Sequence, residues 1–261
     1  MAPDTASAQR SAGDRPRIAA FRPADERLDR AADTLRGLGA EPVTDPMLAV
    51  EPTGEAPRSG ADYVVLTSKT GVELAADAGW EPGAATVCAI GPATADALDE
   101  AGYQVDVVPE EYTSNGLVET LTAESDIDAA SVEIARSDHG SQVLIDGLAD
   151  AGATVHETVL YRLVRPAASG ESAELAAAGE LDAVCFTSSL TVEHFLAAAD
   201  EREVGAAVHD ALDEVVVGVI GAPTAETARD RGIDVDVVAS EATFETLARE
   251  TVARLDERTT R

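Results

Sequence analysis

The sequence predicts an α/β protein of two similar parallel-sheet halves, and three observations carry that prediction. Short apolar runs alternate with helix-period segments from Arg17 onward, the pattern of strands joined by helical crossovers. Glycine follows the helical segments at Gly39, Gly79, Gly102, Gly152 and Gly232, where a helix C-terminus favours a left-handed residue. Finally, a set of three segments occurs twice in the same order, and a duplicated unit constrains the whole architecture.

Taken along the chain, residues 1–16 are rich in Ala, Ser, Asp and Arg without periodicity and are expected as a mobile tail. "RIAAF" at Arg17 starts the first strand, and "LDRAADTLRGLG" has the apolar spacing of a helix facing a sheet. "DYVVLTS" and "TVCAIG" read as buried strands; "GVELAADAG", "ATADALDEAG" and "GLVETL" read as helices, and "VDVVP" as a further strand. "RIAAFRP…LRGLGAEPVTDPMLAVEP" then recurs as "SVEIARS…LADAGATVHETVLYRLVRP", and "DYVVLTSKTGVE" as "DAVCFTSSLTVE". The third pair starts at "AIGPATADAL" and at "VIGAPTAETA": Ile90, Gly91, Thr94, Ala95, Gly102, Val105, Asp106, Val107, Val108, Glu111, Thr113 and Leu117 are identical at an offset of 130. Read from the residues alone, the chain is two sequential halves, with a small-molecule site expected between them.

Composition narrows the function classes. At 261 residues with 45% hydrophobic content the chain can build real cores. Its 49 acidic against 19 basic residues give a net charge of −30, and Lys69 is the single lysine. Such a surface repels nucleic acid and anionic membranes, and it matches the acidic, lysine-poor composition of proteins that work in molar salt; an acidic interaction surface is the other reading. Neither a membrane-length apolar run nor a signal-peptide core is present, so a soluble, cytoplasmic protein is expected. Cys88 and Cys185 each lie inside an apolar run and read as buried thiols rather than a redox pair.

The familiar catalytic sets are missing. His139, His156, His194 and His209 form no HxxxH or HExxH pair, so no metal is expected. No GxGxxG follows the first strand, and "GSQVLIDG" has neither the lysine nor the spacing of a phosphate loop. No serine sits in a GxSxG elbow. What recurs is a strand that ends in small hydroxyl residues and enters a helix: Thr67-Ser68, Thr187-Ser188-Ser189, Gly91 to Thr94, Gly221 to Thr224, and Thr113-Ser114-Asn115-Gly116. Free N–H groups at a helix start, with Ser or Thr hydroxyls, bind carboxylates without a basic side chain. Each turn alone reads equally as a helix cap, and Glu73, Asp96 and Glu226 already complement the helix dipoles. Together, at matching positions of both halves, they suggest one anion-binding cleft.

Arg22 and Arg136 end equivalent strands of the repeat, and a guanidinium fork binds a carboxylate in a bidentate way; surface ion pairing is the alternative. Tyr161, in "TVLYRLV", can donate a proton to a leaving hydroxyl or simply pack.

The ordered set "RIAAFRP", "VVLTSKTGVE", "AIGPATADAL…G…VDVVPEEYTSNGL", "EIARSDHGSQVLIDGLADAGATVHETVLYR", "VCFTSSLTVEHF" and "VIGAPTAETARDRGIDVDVVASEATFETL" resembles the uroporphyrinogen-III synthase family, in family order from Arg17 to Leu255. The composition makes the chain resemble a halophilic, archaeal member. The resemblance implies two α/β domains joined by a two-stranded β linker, with a cleft between the domains. It replaces sequential halves with an interleaved layout: residues 17–39 plus 168–261 in one domain, 53–155 in the other, and 40–52 and 156–167 as the linker strands. It also implies a cyclising lyase with no cofactor. Hydroxymethylbilane, with eight carboxylates, would lose its hydroxyl to give an azafulvene cation and close through a spiro intermediate to uroporphyrinogen III, with ring D inverted.

Carried over position by position, Tyr161 matches the family's linker tyrosine and is the proton-donor candidate. Thr67, Ser68, Lys69, Gly91, Thr94, Ser114, Asn115, Gly116, Ser188, Gly221 and Thr224, with Arg22 and Arg136, are the substrate-binding candidates. The chain departs from the family at Thr70, where Asn or Arg is common, and at "GAPTA", where "GPTTA" is commoner. A monomer meeting porphobilinogen deaminase transiently is expected; a non-catalytic tetrapyrrole or small-anion sensor of the same fold is the alternative.

Overall fold

Most strands of this protein are short and lead into a helix, as the sequence pattern requires. The structure, a computed structural model, describes residues 15–124 and 127–260. The tail expected over 1–16 therefore lies outside the described residues except for Arg15 and Pro16. The first elements are β1 (Arg17–Ala20), α1 (Glu26–Gly37), β2 (Glu41–Thr44), β3 (Ala49–Pro52), β4 (Tyr63–Leu66), α2 (Lys69–Asp77), β5 (Thr86–Ala89) and α3 (Pro92–Glu100). Next come α4 (Ser114–Glu124), β6 (Ser131–Ser137), α5 (Gln142–Asp150), β7 (Thr154–Val164) and α6 (Glu171–Ala177). The chain continues through β8 (Ala183–Phe186), α7 (Ser189–Glu201), α8 (Gly205–Glu214), β9 (Val216–Val219), α9 (Ala222–Asp230), β10 (Val237–Val238) and α10 (Phe244–Thr259).

Two compact units result: one runs through Ala49 and resumes at Val164, and the other is Val50–Leu163. The first unit's sheet has the order β10-β9-β8-β1-β2, and the second's the order β3-β7-β6-β4-β5. The ladders β1–β2, β1–β8, β8–β9 and β9–β10 of the first sheet, and β4–β5, β4–β6 and β6–β7 of the second, are parallel. Outside β5, Val107 makes a single parallel bridge to Cys88, so "VDVVP" contributes one bridging residue where a strand was expected. Laid on the repeat, β10 corresponds to Val107, β9 to β5, β8 to β4, β1 to β6 and β2 to β7, and the two sheets share one order. Even side-chain ties are duplicated: Asp106 Oδ2 accepts the Val87 N–H at 2.8 Å, and Asp236 Oδ2 accepts that of Val217 at 3.0 Å.

The segments 40–52 and 156–167, expected as linker strands, hold β2, β3 and most of β7, and β3 lies beside β7. β2 is an edge strand of the first sheet, in register Arg17↔Glu41 to Ala20↔Thr44, while β3 and β7 belong to the second sheet. The chain passes between units at Ala49–Val50 and at Leu163–Val164.

Apolar faces cover both sides of each sheet, as parallel sheets require. On one side of the first sheet Phe21, Phe186 and Phe195 pack with ring centroids 5.0 to 5.6 Å apart; Leu35, Phe244 and Leu247 belong to the cluster on the other. No described helix is long and apolar enough to cross a membrane.

Candidate active site

In open α/β sheets ligands bind past the carboxyl ends of the strands, where the strand order reverses. In the second unit that point lies between β4 and β6, and the residues there are Thr67-Ser68 after β4 and Arg136 to Asp138 at the end of β6. A cavity of about 240 Å³ opens among them, lined by Thr67, Ser68, Ile90, Ser114 and Arg136, then Ser137, His139, Gly140, Ser141, Leu144 and Tyr161. Five of the sequence-derived candidates meet in it.

Tyr161 reaches this cavity through an irregularity of its strand. The β6–β7 register runs Arg136↔Val159 and then Ser137↔Tyr161, skipping Leu160. A bulge of this kind re-aims a side chain: Leu160 and Tyr161 are consecutive, yet both join one apolar cluster. Tyr161 is buried, 7% exposed, and its Oη lies 2.9 Å from Ser68 Oγ. Ser68 is the N-cap of α2, with extended φ of −158°, and its Oγ accepts the Gly71 N–H at 3.0 Å. Lys69, one residue on, is exposed and lies 3.8 Å from Glu73 and 4.0 Å from Glu100.

Arg136 lines the cavity and is paired within the protein. It is buried, 3% exposed, with Nε 2.6 Å from Glu157 Oε1 and a further donor 2.5 Å from the Ser141 carbonyl. Its charge is matched inside the protein, and it forms part of the cavity wall. Gly140 exists to admit it, since a Cβ there would lie 2.3 Å from Arg136 Cδ.

The threonines of the duplicated turns lie inside their helices. Gly91 and Gly221 are the N-caps of α3 and α9, with no side-chain cap. Thr94 and Thr224 sit inside the first turn and are buried, 4% and 3% exposed; they neither cap nor face outward. Proline in each first turn sets this register, because Pro92 and Pro223 occupy early helix positions that need no N–H. A Cβ on Gly91 would meet Tyr112 Cβ at 3.2 Å, so Tyr112 covers that helix start, whereas nothing lies within 4 Å of a Cβ on Gly221. At the start of α4 the cap is Thr113, whose Oγ1 accepts the Gly116 N–H at 3.0 Å. Ser114 lines the cavity, Asn115 is exposed, and Gly116 lies under the backbone of Glu111, whose oxygen a Cβ would approach to 2.2 Å.

In the first unit the equivalent edge carries Arg22, Ser188 and Gly221. Thr187 Oγ1 donates to the Phe21 carbonyl at 2.6 Å, tying the end of β8 to that of β1. Ser188 caps α7 in a reciprocal box with Thr191. Arg22 has a buried Nε without a hydrogen-bond partner among the described residues, and its Cζ lies 5.4 Å from the Phe244 ring centre. Burial, and then Arg27, lower its pKa, opposed by Glu245 and Asp25. Arg22 and Arg136 thus diverge: the second is paired, the first keeps donor capacity for an anion.

The loop Ser137 to Ser141 escaped sequence reasoning as a lining element. His139 Nδ1 lies 2.7 Å from Asp138 Oδ1. Burial works against ionisation of Asp138, but hydrogen bonds from His139 and from the Leu163 N–H outweigh it and hold the carboxyl below its usual range. Among the described residues no group of three or more His, Cys, Asp or Glu could hold a metal.

Comparison with known proteins bears on the family and the fold. The family model for uroporphyrinogen-III synthase HemD matches residues 29–249. A protein of Methanothermobacter thermautotrophicus, provisionally named a uroporphyrinogen-III synthase, is 33% identical over 223 residues, covering 80% of this chain and 87% of that one. Among solved structures, a mutant uroporphyrinogen III synthase of Thermus thermophilus superposes with TM-score 0.66 at 21% identity, over 93% of this chain and 99% of that one. Uroporphyrinogen-III synthetase of Helicobacter pylori follows with TM-score 0.57 at 14% identity, over 92% and 99%.

Proposed function

The chain belongs to the uroporphyrinogen-III synthase family, and from that premise we propose that Tyr161 is the proton donor of its cyclisation. The family's enzymes are cyclising lyases that act on hydroxymethylbilane, and this chain is one of them. The observation that supports the residue assignment is the bulge-directed Tyr161 hydroxyl, buried in a polar cavity at the strand-order reversal. About 240 Å³ suits one substituted pyrrole end, where the hydroxymethyl carbon must react, and not four rings.

Tyr161 gives its hydroxyl proton to the departing oxygen, the C–O bond breaks and water leaves. The resulting azafulvene carbon is then attacked by the far ring of the same substrate, so orientation supplies much of the rate. In the first unit, helix-start amides after β8 and β9, with Ser188, Gly221 and the uncommitted Arg22, offer donors for acetate and propionate arms. The finer reading takes the chain as a cytoplasmic monomer of a salt-adapted cell, receiving its bilane from porphobilinogen deaminase. The charge of −30 and the single lysine support the salt adaptation.

The decisive assay supplies porphobilinogen and the deaminase in molar salt and separates the oxidised products. The type III isomer should replace type I when this protein is added, and Tyr161→Phe should lower kcat more than it raises KM. Type III formation by Tyr161→Phe at the unaltered rate would remove Tyr161 from the chemistry.

A further inference from the structure

We propose that Ser68 is a positioning residue for the proton transfer, donating its hydroxyl hydrogen to Tyr161 Oη so that the phenol proton faces the cavity; this rests on reading Tyr161 as the proton donor. Ser68 Oγ carries one hydrogen and two lone pairs. One lone pair accepts the Gly71 N–H at 3.0 Å, and the other polar atom against it is Tyr161 Oη at 2.9 Å. Were Tyr161 the donor in this pair, its only proton would be spent inside the protein and turned away from the cavity. With Ser68 as donor the phenol hydrogen is released towards the substrate. The oxygen left behind already has a hydrogen-bond donor in place, and pre-set donors at developing charge are what lower a barrier.

Three features hold this direction. The Gly71 amide, in the first turn of the nine-residue helix α2, polarises the Ser68 hydroxyl, so that N–H, O–H and phenol oxygen form one cooperative chain. A Cβ at Gly71 would come within 3.1 Å of Ser68 Oγ and 3.5 Å of Leu160 Cδ1, so the glycine leaves the pair its space. The bulge between Arg136 and Ser137 then sets Tyr161, rather than Leu160, opposite the end of β6. In the reaction the Tyr161 O–H bond breaks and its proton joins the substrate hydroxyl. The C–O electron pair leaves with water, and the phenolate rests on the Ser68 O–H. It regains a proton from the pyrrole carbon that must lose one when ring closure restores aromaticity.

Five proteins test this by initial rates of type III formation in molar salt: wild type, Ser68→Gly, Ser68→Thr, Tyr161→Phe and the Ser68→Gly/Tyr161→Phe double variant. Glycine removes the hydroxyl yet is tolerated at an N-cap; thermal melts verify that each variant is folded. Ser68→Gly should lose on the order of ten- to a hundredfold in kcat, the worth of a hydrogen bond to a charged group, with KM little changed. Ser68→Thr should restore most of that loss, and the double variant should be no slower than Tyr161→Phe. A Ser68→Gly effect confined to KM, or one that multiplies with Tyr161→Phe, would overturn the Ser68 role while the slow Tyr161→Phe leaves the donor reading intact. Wild-type kcat in Tyr161→Phe would overturn the donor reading and this one with it.

Discussion

Arg136 Nε meets Glu157 Oε1 at 2.6 Å across the β6–β7 ladder, joining a buried arginine to a carboxylate 21 residues later in the chain. Arg136 is 4% exposed at its side chain and Glu157 34%, so the pair lies at the boundary between core and solvent. Removing the outer partner leaves a buried guanidinium held by the Ser141 carbonyl alone. Breaking a fully buried pair costs ~3–5 kcal/mol; for this half-buried one Glu157→Ala should cost about 2–3 kcal/mol, read from denaturant unfolding in molar salt. A loss within about 0.5 kcal/mol, the range of ordinary surface substitutions, would show that Arg136 re-solvates freely.

Asp45 does for α6 what no nearby residue can. The helix starts after Gly170, which has φ of +109° and, as a glycine, no side chain to cap with. Asp45, buried and 125 residues away, accepts the Gly170 N–H at 2.9 and 3.0 Å, the Ser172 N–H at 2.9 Å and the Ser172 hydroxyl at 2.5 Å. A cap side chain is worth ~1 kcal/mol, and a donor left unsatisfied in the interior costs ~1–3 kcal/mol more. Asp45→Ala should therefore lose about 2–4 kcal/mol and speed amide exchange in α6 first. Unchanged exchange at Gly170 and Ser172 would show that water replaces the carboxylate.

How much of this was legible before folding differs from residue to residue. Strand–helix alternation and the offset-130 repeat foretold two similar parallel-sheet units, because period and glycine position are local properties. The turns at Gly91 and Gly221 were legible only in part. A Gly-x-x-Thr sequence fits either a glycine cap or a threonine cap, and Pro92 and Pro223 held the information that decides between them. The partner of Arg136 was not legible, because Glu157 is set by pairing of β6 with β7, which no local window contains. The lining role of "SDHGS" was invisible for the same reason: a short polar loop has no period, and only Gly140, which admits Arg136, marks it. Tyr161 stood out, but the skipped Leu160 that turns it to Ser68 is a property of the sheet.

The two cysteines should be inert in the folded protein. Burial, with the charge of Asp106 added, pushes the Cys88 thiol up to about 12. Burial pushes Cys185 up to about 12 as well, although contact with Thr251 at 3.7 Å opposes it. The thiolate is the reactive form, so at pH 8 neither should react with a thiol reagent while the protein is folded. Both should react completely once it is denatured. Rapid modification of either cysteine in native protein, followed by mass spectrometry, would contradict the strand interior assigned to it.

Salt should stabilise this protein, and the sign follows from a competition between two electrostatic effects. Local ion pairs such as Arg36–Asp33 at 2.8 Å and Arg231–Glu193 at 2.9 Å attract, and screening weakens them; exposed pairs of this kind are worth ~0–1 kcal/mol each. Against them stands the excess of 49 acidic over 19 basic residues, a charge of −30 on 261 residues. Its self-repulsion is greatest in the compact state. At about 0.1 M salt the screening length is ~10 Å, long enough for neighbouring carboxylates to repel; near 1 M it is ~3 Å and the repulsion is confined to direct neighbours. The excess outweighs the pairs, so Tm should rise steeply between 0.1 M and 1 M potassium chloride and the protein should unfold near room temperature in dilute buffer. An uncharged osmolyte of equal osmolality should recover only part of the stability, because it leaves the repulsion unscreened. A melting curve indifferent to salt would mean that the carboxylates are spaced widely enough not to interact, and the salt-adapted reading of this chain would have to be given up.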